Sequence, residues 1–267
     1  MPIHCALALS PVSDTDFDSV DTLVMAASYA AHNRLGRLCD ERIYENDVAA
    51  RLRADGFDNV HTQLPVTVSH GPFTRTYRLD LVAGGVIYEI KKSVALALDH
   101  ETQAIHYAAL CDTNRAKLIN FGAPKVAGRL LRTPFPEVDR RQFTVSLGRW
   151  RVLSERCDVL LKRLMALLAD WGAFLEASLY QEALVQLLGE PSQCERRLTV
   201  SRDGIELGTH SQSCHAPDVG FLVTALSRDT EAYERHIQRL LDCLPLRGIQ
   251  WLNLKHSELQ PVTLTNQ

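Results

Sequence analysis

No two of the seven cysteines stand in a C-x-x-C spacing, and their number is odd. That pattern argues against a disulfide framework and leaves reduced thiols as the expectation. No apolar run approaches the roughly 20 residues that a membrane span needs. The opening MPIHCALALS has no basic segment ahead of an apolar one, so the expectation is a cytoplasmic protein with no membrane partner. Excess positive charge is missing as well: 29 lysines and arginines face 32 aspartates and glutamates, for a net charge of -3. A polyanion would therefore have to be held by a local patch. What is present is ordinary for a globular protein, 46% hydrophobic and 23% charged over 267 residues, enough for one large domain or two small ones with a sizeable core.

The most informative stretch is TYRLDLVAGGVIYEIKKS, residues 76–93. Two strand-like runs flank Gly84-Gly85, a pair that favours the positive-φ turns of tight hairpins. With those two glycines as the loop, Ala83 pairs with Val86, Val82 with Ile87, Leu81 with Tyr88, Asp80 with Glu89, Leu79 with Ile90 and Arg78 with Lys91. Alternation then puts Leu79, Leu81, Ala83, Val86, Tyr88 and Ile90 on one apolar face and brings Asp80, Glu89 and Lys91 out together on the other. Opposed carboxylates with Cβ atoms roughly 5 Å apart repel unless a positive charge sits between them.

A divalent cation meets that need. Hard carboxylate oxygens suit Mg²⁺ (or Mn²⁺), which keeps several waters and leaves positions for phosphate oxygens. Lys91, on the same face, would steady an attacking water or offset developing charge. Chemistry of this kind is metal-assisted hydrolysis of a phosphodiester. The D-x8-E-x-K spacing also fits a solvated strand face with a Glu-Lys pair, and on the hairpin alone both readings stay open.

The blocks HNRLGRLCDERIYENDVAARLRADGF, YRLDLV, YEIKK, HETQAIHYAAL and KLINFG follow in that order between about residues 23 and 132. In that series the segment resembles the GxxExxY family of the PD-(D/E)XK nuclease superfamily, over somewhat under half of the chain. The resemblance implies an α/β fold of the restriction-endonuclease-like type, a mixed sheet flanked by helices, and a Mg²⁺- or Mn²⁺-dependent nuclease acting on DNA in preference to RNA. Matched to its motifs, Asp80, Glu89 and Lys91 take the metal-binding and catalytic positions. Glu41 takes that of the helix glutamate, read as a further metal ligand, and Gln103 lies with Tyr107 on the helix after the hairpin; Tyr44 and Tyr107 are supporting residues. The family's glycine falls on Leu38 here, with Gly36 nearby.

In chain order, periodicity predicts a helix over 16–33 with Phe17, Val20, Leu23, Val24, Ala27 and Ala31 on its apolar stripe, broken by Gly36. A second helix over 39–54 carries Glu41, Tyr44, Val48 and Leu52 along one face. Glu41 either points at the acidic face of the hairpin or complements the helix dipole from the first turn. QLPVTVS (63–69) reads as a strand. Asp99 is expected to cap a helix running to about Leu110, on which Gln103 supports the site or simply faces solvent. His100 and His106 read as surface histidines. Beyond the strand LINFG, Arg129, Arg132, Arg140 and Arg141 form a basic run; Arg129 and Arg132, with Lys92, are the candidate phosphate contacts.

TPFPE (133–137) marks a boundary between a nuclease-like domain over 16–138 and a second over 150–265. The second retraces the first. Gly172 precedes Tyr180 by eight positions as Gly36 precedes Tyr44. RRLTVSRDGIEL answers the QLPVTVS region, PDVGFLV answers LDLVAGG and WLNL answers LINF, which sets Asp218 on Asp80, Asn253 on Asn120 and His236 on Gln103. No E-x-K follows, so this half is expected to be a degenerate copy, making the chain a monomer with an internal pseudo-dimer, or else a homodimer. Cys194, His210, Cys214 and His215 match no zinc-site spacing, and Trp150, Trp171 and Trp251 read as core residues. The rival to a nuclease is a catalytically silent nucleic-acid- or protein-binding module that keeps the fold. The acidic net charge favours the rival; the complete Asp80, Glu89, Lys91 set favours turnover.

Overall fold

A computed structural model of the chain describes residues 2–135 and 139–266; Pro136 and Glu137 of the expected boundary lie outside the described residues. The chain divides into two compact units, Met1–Val68 with Thr74–Asp139, and Ser69–Phe73 with Arg140–Gln267. The elements of the first are β1 (Ile3–Cys5), α1 (Asp14–Leu35), α2 (Glu41–Ala54), β2 (Val60–His70), β3 (Phe73–Ala83), β4 (Val86–Lys91), α3 (Leu98–Leu110), β5 (Arg115–Asn120) and β6 (Ala127–Arg132). Those that follow are β7 (Thr144–Val145), α4 (Arg156–Trp171), α5 (Ala177–Leu188), α6 (Pro191–Cys194), β8 (Glu195–Arg202), β9 (Ile205–Ala216), β10 (Val219–Thr224), α7 (Thr230–Leu241), β11 (Gly248–Lys255) and β12 (Glu258–Thr265). Two six-stranded mixed sheets flanked by helices agree with the restriction-endonuclease-like fold class. Among the described residues no helix is long and apolar enough to cross a membrane.

In the first unit the strands lie in the order β1-β2-β3-β4-β5-β6. β3 and β4 are antiparallel and β4 and β5 parallel; the parallel step requires a crossover, which α3 provides. Helix α1 begins where the Ser13 hydroxyl accepts the Asp16 N–H, with Asp14 and Asp16 in its first turn, the side-chain cap and charge bias that a helix start favours. Its buried stripe is Phe17, Val20, Val24, Ala27 and Ala31. Leu23 is a correction: it is 43% exposed, lying off that stripe. The core joins this stripe to Tyr44, Val48 and Leu52 of α2 and to Leu81, Ala83, Val86, Tyr88 and Ile90 of the hairpin, each large aliphatic side chain adding about 1.5–3 kcal/mol by burial. Helix α3 starts at Leu98 with Ala97, not Asp99, at its cap; the His100 ring reaches back to the Ala97 N–H and takes the place of a capping side chain.

From α4 onward, the short α6 apart, the second unit repeats this order of elements: two helices, an antiparallel β8-β9-β10 set, the crossover α7 to a parallel β11, then an antiparallel β12. By contrast, β7 pairs parallel to β12, where β1 pairs antiparallel to β2. Two side-chain devices recur as well. Tyr44 Oη donates to the Gly36 carbonyl and Tyr180 Oη to the Gly172 carbonyl. Asn120 brackets the backbone of Ser93, accepting its N–H and donating to its carbonyl, and Asn253 does the same to Leu226. The register places Val219 first after its turn, where Val86 stands, and pairs Thr224 with Asn253 as Lys91 pairs with Asn120. Setting Asp218 on Asp80 is thereby corrected. Asp218 lies in the β9–β10 turn, ion-paired with Arg247 at 3.0 Å, while Leu222 stands at the place of Glu89 and Thr224 at that of Lys91.

Candidate active site

The β3–β4 hairpin turns on Gly84 and Gly85, with φ of 54° and 83°. Gly84 is doubly constrained, because a Cβ there would lie 2.6 Å from Val20 Cγ2. The ladder runs Ala83↔Val86, Val82↔Ile87 and Leu81↔Tyr88, as the glycine pair predicts, and there it departs from expectation. The next position is not a backbone pair: Asp80 Oδ2 accepts the Ile90 N–H at 2.9 Å, and β4 continues paired to β5 out to Lys91↔Asn120. The side chain of Asp80 thus replaces a strand partner and is fixed by doing so.

Glu89 is 1% exposed, and Lys91 Nζ donates to its Oε1 at 2.7 Å. Helix α2 brings two more acids from one face. Glu41 Oε1 accepts the Lys92 backbone N–H at 2.8 Å, tying the start of the helix to the end of β4. Glu45, one turn later, is 2% exposed. Gln63, at φ 53° within β2, directs its amide to Glu45 Oε2 at 2.9 Å and to Asp80 Oδ1 at 3.4 Å. Glu41, Glu45, Gln63 and Asp80 line an open cleft of about 630 Å³ together with Asp40, Arg42 and Lys92, and the buried Glu89 and its partner Lys91 stand behind Asp80, outside its lining. Glu45 and Gln63 escape the sequence reading. Glu45 carried a signal, being four residues after Glu41 and hence on the same helix face; Gln63 carried none, since its approach depends on a backbone irregularity in β2.

Crowding of acids has the electrostatic result that burial dictates. Burial first, and the Asp80 charge second, push the Glu89 carboxyl up to about 8, against the pull of Lys91. Burial likewise raises Asp80, opposed by the Ile90 N–H and Lys91. Glu45 is raised by burial, with Asp80 and Glu41 adding and the Gln63 hydrogen bond opposing. Glu89 Oε2 is buried with no N–H or cationic donor on it and is set against the Asp80 carboxyl. A buried oxygen of this kind costs stability unless something positive meets it, and carboxylate oxygens are the donors a hard divalent cation takes. The donor set fits such an ion, although among the described residues no three acidic, histidine or cysteine side chains are already closed around one point.

Other predicted residues lie apart from this cluster or are engaged elsewhere. Gln103 donates to Tyr107 Oη at 3.0 Å on α3, and Tyr107 packs beside Tyr77. Tyr44 is buried, stacked on Phe121 at 4.3 Å, so it supports the start of α2 from the core. Arg129 pairs with Glu101 and Arg132 with Asp14. Lys92 Nζ donates to the Leu38 carbonyl at 2.8 Å and reaches Asp40 at 3.5 Å. Arg140, placed in the same basic run, is instead buried, with its guanidinium on the Trp171 carbonyl at 2.6 Å. His106 is corrected too. It is 1% exposed and packs edge-on to Tyr77, because its position on α3 faces the sheet.

No curated protein gave a match. The solved crystal structure of SSO0001 is similar over 46% of this chain and 62% of that one, at 20% identity and a TM-score of 0.29; less than two thirds of that chain is covered. Residues 18–132, which contain every acidic side chain of the cleft together with Lys91 and Gln63, match the family model of the PD-(D/E)XK nuclease superfamily.

Proposed function

We propose that the first unit is a nuclease that hydrolyses phosphodiester bonds of nucleic acid, DNA in preference to RNA, with Mg²⁺ or Mn²⁺ as cofactor. The observation that carries this reading is the buried carboxyl pair of Glu89 and Asp80, set against each other beside Lys91 with no cationic or N–H donor on Glu89 Oε2. Asp80 and Glu89 would hold the ion, with Glu41 and Glu45 on its α2 side. When bound, the ion supplies Lewis-acid polarisation of the phosphate and acidifies water. Asp80 is oriented by the Ile90 N–H, and Glu45 by the Gln63 amide. Lys91, held at Glu89, offsets the charge that develops on the phosphate oxygens. Glu41 and Tyr44, three residues apart at the start of α2, support the finer likeness to the GxxExxY family. Gly36, at φ 71° as the cap of α1, supplies a glycine turn two residues before the Leu38 position.

The second unit, on this reading, is a copy without a metal site, since Leu222 and Thr224 replace a carboxylate and a lysine. A specific observation favours the rival, a silent binding module: the two candidate phosphate-contact arginines, Arg129 and Arg132, are already ion-paired to Glu101 and Asp14. Cleavage of supercoiled plasmid, single-stranded DNA and RNA with Mg²⁺ or Mn²⁺ tests the two, with Asp80→Ala and Lys91→Ala as controls. Cleavage that both substitutions abolish supports the nuclease. No cleavage, and no calorimetric Mn²⁺ binding that Asp80→Ala removes, supports the module.

A further inference from the structure

Within the second unit, a cavity of about 310 Å³ is lined by Arg156 of α4, Gln193 of α6, Arg196 of β8, and Cys214 and His215 of β9. It stands apart from the nuclease reading and uses none of its residues. Arg156 donates to the His215 carbonyl at 3.2 Å and Arg196 to the Pro217 carbonyl. Neither guanidinium is ion-paired to a carboxylate among the described residues, and no acidic side chain lines the cavity. His215 is 1% exposed; no hydrogen bond of good geometry reaches either ring nitrogen, and the Gln250 side chain is the one neighbour that acts on the ring as a hydrogen-bond partner.

The first unit shows that this polarity is not a demand of the fold. Arg156 stands as far before Gly172 as Val20 stands before Gly36, and Val20 packs directly on Gly84 of the hairpin turn. Where the first unit closes that corner with valine, the second opens it and places an arginine there. With Gln250 beside one ring nitrogen, the other is buried with no partner and has lost the hydrogen bond water would give it, so an occupant that accepts a hydrogen bond would recover that loss. Burial pushes the Cys214 thiol up to about 11, so it stays neutral and does not repel an anion. Guanidinium forks match the tetrahedral oxygens of phosphate and bind them bidentately.

We propose that this cavity binds a phosphate monoester, with Arg156 and Arg196 pairing to its oxygens and the His215 ring donating to one of them. The same chemistry is offered by a free nucleotide and by the 5′-phosphate of a nucleic-acid strand. Titration calorimetry on the full chain distinguishes them, using inorganic phosphate, a nucleoside 5′-monophosphate, and a short oligonucleotide with a 5′-phosphate or a 5′-hydroxyl. The Asp80→Ala background prevents cleavage and keeps failure of the nuclease reading separate from failure of this one. Arg156→Gln or Arg196→Gln is expected to weaken phosphate binding about tenfold, the scale of a lost charge-assisted pair, and phosphate is expected to shift the His215 ring resonances. Tighter binding of the 5′-phosphorylated strand than of its 5′-hydroxyl form and the monophosphate supports a strand end; equal binding of monophosphate and phosphorylated strand supports a free nucleotide. If neither inorganic phosphate nor the monophosphate binds, or if both bind the double arginine variant equally well, the proposal is overturned.

Discussion

Lys91 Nζ lies 2.7 Å from Glu89 Oε1, while the other oxygen of the same carboxyl has no N–H or cationic donor and is set against the Asp80 carboxyl. One oxygen is thus compensated by an internal cation and the other faces a second acid, with which it can share a proton or a metal ion. The pH dependence of the metal-free protein follows from this asymmetry.

The Glu89 carboxyl is raised from 4.5 to about 8, so between those values the folded chain holds a proton that the unfolded chain has released. Stability contributed by that proton is full below about 4.5 and is lost as pH rises through about 8. Glu89→Gln removes the dependence. In EDTA, wild type is expected to lose stability relative to the variant from pH 5 to pH 9, by a few kcal/mol at about 1.4 kcal/mol per pKa unit. Thermal unfolding across that range checks it; parallel curves for the two proteins would contradict the assignment.

Asp80→Ala is expected to abolish Mn²⁺ binding, because it removes the carboxylate that Ile90 and Gln63 hold in place. Lys91→Ala acts differently, lowering the rate of cleavage by about 10²-fold or more while Mn²⁺ affinity holds or rises. Calorimetry run beside cleavage rates separates these outcomes, and equal loss of metal binding in both variants would refute the division of roles.

Gln63→Ala leaves Glu45 and Asp80 without their shared donor. The expected cost is about 1–3 kcal/mol, with a further upward shift of the Glu45 carboxyl and weaker Mn²⁺ binding. Chemical denaturation together with metal titration reads both, and an unchanged midpoint would show that the bridge carries no energy.

Tyr44→Phe and Tyr180→Phe each delete the hydroxyl that donates to a glycine carbonyl. Each should cost about 1 kcal/mol. The Tyr44 loss is the larger, because its Oη also accepts the Cys39 N–H. Urea unfolding measures both, and a neutral Tyr44→Phe would remove this hydroxyl from the supports of α2.

Much of this was legible in sequence. Gly84-Gly85 specified the turn, the first three rungs of the ladder and the apolar face, because a two-residue loop fixes register locally. The stripe of α1 was legible apart from Leu23. The register of the second half was not: PDVGFLV resembles LDLVAGG in composition, yet its proline and aspartate form the turn, and only the paired strands and the Asn253 bracket reveal the shift.

The sequence by itself determined helices α1 to α3, the hairpin and the presence of Asp80, Glu89 and Lys91 on it, all consequences of periodicity and turn chemistry among near neighbours. Tertiary structure alone decided that Glu45 and Gln63 join those acids, that Arg129 and Arg132 pair with Glu101 and Asp14, and that His215 is buried in a cavity lined by two arginines. Such contacts join residues far apart in the chain, and their energies are set by burial and by the distance between charges, neither of which exists until the strands and helices have packed.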